Sequence, residues 1–100
     1  MNRRRPYLAV LTVTVNLEAA LSLKDKRMVV RSLKDGLRAR FGATVAEVDG
    51  LDERRHGVVV AAALATSRAD ADTVLARLAR DTERRFGGHD LSLAGEVAEL

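Results

Sequence analysis

One hundred residues make a single domain with a small core, whose stability is limited unless copies of the chain associate. Hydrophobic residues are 47% and charged residues 31%, which excludes a disordered polymer; the absence of Cys excludes disulfide frameworks, thiolate zinc sites and thiol chemistry. The net charge of +3 is uneven, with ten Lys/Arg against three Asp/Glu in residues 1–42 and seven against eleven in residues 43–100, a balance that suits an acidic partner such as nucleic acid or an anionic surface.

Arg3-Arg4-Arg5 followed by Tyr7–Val15 imitates the start of a signal peptide. The run is interrupted by Thr12, Thr14 and Asn16, and it alternates with period two: Tyr7, Ala9, Leu11, Val13, Val15 and Leu17 against Leu8, Val10, Thr12, Thr14 and Asn16. That is a strand with one apolar and one mixed face. A cytoplasmic domain spanning 1–100 is therefore expected, with residues 1–6 as a basic extension. No run reaches the ~18–20 apolar residues of a membrane-spanning helix.

Ser22 reads as an N-cap, and Asp25 three residues on completes a capping box. The predicted helix runs from Leu23 to Phe41, with Val29, Val30, Leu33, Leu37 and Phe41 on one side and Gly42 as the residue that stops it. Thr44–Asp49 is a short strand, Gly50–Gly57 a polar hairpin loop, and Val58–Ala65 a buried strand. Ser67 caps a second helix, about Ala69–Phe86, with Val74, Leu75, Leu78 and Phe86 inward. Gly87-Gly88 ends it, and Leu91–Val97 is the last strand.

A 45-residue echo links the two halves. Ser22-x-x-Asp25 returns as Ser67-x-x-Asp70, Val29, Val30 and Leu33 as Val74, Leu75 and Leu78, and Arg40-Phe41-Gly42 as Arg85-Phe86-Gly87. The order β-α-β-β-α-β, used as two copies of one unit, gives an α+β fold: a ferredoxin-like split sandwich, with a four-stranded antiparallel sheet and both helices on one face. The other face is left open. Carrying the echo into the strands assigns it Val10, Thr12, Thr14, Val59, Ala61, Ala63 and Ala65. A small, apolar, nearly uncharged face of this kind marks a partner surface, and a second copy packed sheet on sheet is the expected partner.

The segment Ser22-Leu-Lys-Asp-Lys-Arg27, the helix ending at Arg40-Phe41 and the strand Ala46-Glu-Val-Asp49 resemble the signature of the YlxP-like bacterial family. The resemblance implies a ferredoxin-like fold and a gene setting beside ribosome maturation and translation initiation; it implies no established activity. The chain departs from the family where Leu51-Asp-Glu-Arg-Arg-His56 stands in place of a hairpin carrying a Trp, and in its basic extension Asn2–Arg5.

Lys24, Arg27, Arg31, Lys34 and Arg38 recur every three or four residues and form a narrow basic stripe, about a third of a turn from the apolar side. Arg77, Arg80 and Arg84 form a shorter stripe on the second helix. Such a stripe is either a solvated flank or a row of phosphate contacts. The central strands offer only Tyr7 for base stacking and there is no GXXG clamp, so RNA contact is expected to be helix-borne and directed at phosphates. Glu47, within an apolar strand, is expected on the open face if Ala46 and Val48 face the helices, pairing across a dimer. Asp49, Asp52, Glu53 and His56 match no metal loop, His56 and His89 read as solvated loop residues, and no Ser/His/Asp set, phosphate loop or zinc helix is present. The expectation is a non-enzymatic domain without metal or cofactor, binding RNA or a ribosomal particle through the first helix. The alternative is a homodimeric small-ligand or regulatory module whose site lies between subunits near Glu47.

Overall fold

A computed structural model describes residues 5–17, 22–51, 53, 55–88 and 90–100. The elements are β1 (Tyr7–Asn16), α1 (Leu23–Phe41), β2 (Thr44–Asp49), β3 (His56–Ala65), α2 (Arg68–Phe86) and β4 (Asp90–Glu99). The sheet is antiparallel with order β2-β3-β1-β4, so β1 and β3 are central, and both helices pack on the same face. This is the expected ferredoxin-like α+β sandwich. The extension Asn2–Arg4, the loop positions Asp52 and Arg54, and His89 lie outside the described residues.

Local chemistry explains the helix ends. The Ser22 side chain accepts from the Asp25 amide at 3.1 Å, and the Asp25 carboxylate accepts in return from the Ser22 amide at 3.3 Å. The box thus satisfies amides that the first turn leaves without partners. Ser67 accepts from the Asp70 amide at 3.1 Å. Gly42 closes α1 in the left-handed region at φ 59°, and its amide donates to the Arg38 carbonyl at 3.0 Å.

The core is one layer between sheet and helices. Leu11, Val13, Val15, Val45, Val59 and Ala61 meet Val30, Leu33, Leu37 and Leu78. Val74, Leu75, Phe41 and Phe86, expected inward, are half-buried at its margin.

The strand faces require a correction. Register pairs Val13 with Val59, Leu11 with Ala61, Ala9 with Ala63 and Tyr7 with Ala65. Val59, Ala61, Ala63 and Ala65 therefore face the helices, and Val59 and Ala61 are wholly buried. The open face carries Val10, Thr12 and Thr14 as expected, but beside Val58, Val60, Ala62 and Leu64. The physical reason lies in the strand register: it pairs odd-numbered residues of β1 with odd-numbered residues of β3, whereas the echo matches odd with even. The 45-residue offset holds along the helices but not along the strands, and an odd offset in a structure of period two reverses every side chain.

Candidate nucleic-acid interface

α1 is amphipathic with a period that turns Lys26, Val30, Leu33 and Leu37 into the core. The stripe residues Lys24, Arg27, Arg31, Lys34 and Arg38 share one flank, as the sequence spacing predicts. It is the flank opposite Gly36 and Arg40, which lie against α2. Lys24, Arg27 and Arg31 are exposed and Lys34 is half-buried. None of these four pairs with a carboxylate among the described residues. Arg38 is different. Its guanidinium donates to the Val45 carbonyl at 2.8 Å and lies 3.8 Å from Asp35. It satisfies a backbone group on the edge strand β2, so its job is structural as well as electrostatic.

Lys26 lies off the basic stripe, on the buried side of α1. It is 1% exposed, and its ammonium donates to Glu47 Oε2 at 2.6 Å and to the Gly50 carbonyl at 2.7 Å. Glu47 is thus on the helix side of β2, not on the open face: Val45 is buried and Ala46 and Val48 are exposed. The expected pairing of Glu47 across a dimer is overturned, because its partner is in the same chain. A ligand site between subunits is therefore built without the Glu47 carboxylate, which Lys26 holds. The pair is tightly housed. A Cβ on Gly57 would stand 3.1 Å from Lys26 Cε and 3.3 Å from Glu47 Oε2. Gly50, at φ 76°, makes the turn that presents its carbonyl to the ammonium; a Cβ there would stand 2.6 Å from the His56 carbonyl oxygen. Lys26 was legible as the cation at i of an i, i+4, i+7, i+11 apolar line through Val30, Leu33 and Leu37.

A second buried charge sits between the helices. Asp81, whose side chain is 7% exposed, lies 3.1 Å from Arg84, 3.5 Å from Arg85 and 3.6 Å from Arg40 of α1. The aromatic residues offer no stacking platform. Tyr7 is on the helix side of the sheet beneath the Arg68 guanidinium at 5.3 Å, and Phe41 and Phe86 pack on the core. Among the described residues no three His, Asp or Glu side chains gather as a metal site, and no helix is long and apolar enough to cross a membrane.

A family model, Protein of unknown function (DUF503), matches residues 8–92. The chain belongs to this family. No curated protein matches it. Among solved structures, it is similar to a proposed PII-like signaling protein from Thermus thermophilus, with a TM-score of 0.52 and 18% identity over 98% of this chain and 92% of that one. At such identity the likeness is one of fold. Weaker similarities are to a nitrogen regulatory PII-like protein from Thiomonas intermedia, bound to ADP, AMP and bicarbonate (TM-score 0.49, 11% identity, 94% of each chain), and to a dimeric ferredoxin-like protein from an uncultured marine organism (TM-score 0.46, 9% identity, 95% of this chain and 94% of that one).

Proposed function

We propose that this domain is a non-catalytic module that binds structured RNA, free or in a ribosomal particle, through the outer flank of α1. The observation that carries the reading is the row Lys24, Arg27 and Arg31: three exposed cations, one turn apart, none held by a carboxylate among the described residues. Lys34 and Arg38 extend the row. From Lys24 to Arg38 the helix advances roughly 20 Å at ~1.5 Å per residue. Each strand of a duplex places a phosphate every ~3.4 Å of axis, so a rigid row of this length faces several. The YlxP-like resemblance of Ser22–Asp49, with its translation-related gene setting, favours an RNA partner over other polyanions. The lack of aromatic residues on the open face favours phosphate contact over base stacking.

For the open sheet face we infer a second copy of this chain as the partner. Val10, Thr12, Val58, Val60 and Ala62 form its centre, flanked by Ala46 on β2 and Ala94 on β4, and Leu64 at its end is 68% exposed. Among the described residues the charged side chains in these rows are Glu96, opposite Val10, and Asp49, opposite Val58 at the edge, so two copies related by a two-fold axis meet mainly with small apolar surfaces.

The test is binding to ribosomal subunits and to an RNA hairpin across a salt series, with the wild type beside the Lys24→Ala/Arg27→Ala/Arg31→Ala variant. Arg38 is left in place because it serves β2. The expected wild-type binding is saturable, with log K falling against log salt by about 3, near the slope for three or four phosphate contacts. The folded triple variant should lose it. Equal binding by the two proteins removes α1 from the interface. Light scattering on the same samples should give a dimer mass; a monomer at micromolar concentration removes the second copy.

A further inference from the structure

The antiparallel helices α1 and α2 leave an open groove near the C-terminal end of α1. Its volume is about 370 Å³, and it is lined by Arg40, Phe41, Arg77, Arg80, Asp81 and Arg84. Four guanidiniums from two helices thus surround one opening, against a single carboxylate. That carboxylate is already committed, with Arg40, Arg84 and Arg85 all within 3.6 Å of it. Asp81 therefore fixes Arg40 and Arg84 in place at the rim, while Arg77 and Arg80 pair with no carboxylate among the described residues. Like charges held this close repel one another unless an anion joins them. The C-terminal end of α1 contributes a partial negative charge of about half an electron, too little to balance the guanidiniums.

We propose that this groove is a binding site for a phosphoryl group. Guanidiniums approaching from two helices match a tetrahedral phosphoryl group, whose oxygens accept from several directions; a planar carboxylate accepts one fork at a time. Asp81 supplies the preorganisation, since side chains already held in place lose less freedom on binding. Phe41 gives the wall an apolar surface beside the charged rim. The volume falls within the roughly 300–1,000 Å³ of small-molecule sites, which leaves room for more than the phosphoryl group itself. The site is separate from the outer row of α1: neither Lys24 nor Arg27 lines it.

The experiment is calorimetric titration with inorganic pyrophosphate at low ionic strength, where exposed charges are least screened. Three proteins are compared: wild type, Arg77→Ala/Arg80→Ala and Lys24→Ala/Arg27→Ala. Arg77 and Arg80 are outside the Asp81 cluster, so their removal leaves the folding contacts intact, and circular dichroism checks this. The Arg77→Gln/Arg80→Gln variant provides a second, milder test. Saturable one-to-one binding by the wild type, weakened about tenfold or more in both α2 variants and retained in the α1 variant, is the expected result. No wild-type binding at millimolar pyrophosphate, or equal binding by the folded α2 variants, overturns the site. Adding the RNA hairpin identifies the source of the phosphoryl group. Competition between hairpin and pyrophosphate places an RNA phosphate in the groove, whereas independent binding assigns it to a small phosphorylated molecule. An α1 variant that loses RNA yet keeps pyrophosphate separates this site from the α1 interface.

Discussion

The two helices occupy equivalent places in one repeated unit, yet they bury opposite charges. Position 26 of α1 corresponds to position 71 of α2, and both are buried; one is Lys and the other Ala. Position 81 of α2 corresponds to position 36 of α1; one is a buried Asp and the other a Gly against which Arg85 lies. The first half sends an ammonium down to Glu47 and the Gly50 turn, tying α1 to the β2–β3 hairpin. The second half turns a carboxylate sideways to hold the helices together. The two charges also differ in what surrounds their partners. Lys26 has water on almost no side, whereas the arginines around Asp81 remain one-third to two-thirds exposed. Burial of the cation, not the length of the contact, should decide how much each pair matters.

Breaking the first pair should have the largest effect. Glu47→Ala strands an ammonium that cannot reach water, and it should destabilise the domain by about 3–5 kcal/mol in chemical denaturation. Lys26→Met with Glu47→Leu removes both charges and should recover most of that loss, since an apolar replacement of similar volume is often neutral. If the single and double variants prove equally unstable, the ion pair is not what the single variant lost. Breaking the second pair should be milder. Asp81→Asn leaves guanidiniums that hydrate freely, and its expected cost is about 1 kcal/mol by the same measurement. A cost matching that of Glu47→Ala would remove the distinction between the halves. The caps sharpen the comparison at the smallest scale. Ser22→Ala and Ser67→Ala should each cost about 1 kcal/mol, with Ser22→Ala the larger because its box is reciprocal.

Much of the candidate site was legible before any tertiary contact was known. The spacing of Lys24, Arg27, Arg31, Lys34 and Arg38 requires a single stripe on any helix, and the structure leaves Lys24, Arg27 and Arg31 exposed along it. Arg38 could not be recognised as a strap on β2, because the Val45 carbonyl it meets belongs to another element. The Arg77–Arg80–Arg84 stripe was equally visible as a row of charge. Its groove was not, since Arg40 and Phe41 come from a different helix. The face of Glu47 was not legible, because it depends on the register of β2 with β3, where a bulge lies between Glu47 and Asp49.

The sequence by itself determined the order and type of all six elements, the bounds of α1 and both N-caps, because hydrophobic period and capping are set by residues within a few positions of one another. It also determined the fold, since a βαββαβ order with right-handed crossovers leaves few topologies. Only the tertiary structure decided which face of β3 is open, what Lys26 and Glu47 do, and where four arginines converge. Those outcomes depend on strand register and the approach of distant helices, and a one-residue change in register reverses a strand without altering its pattern.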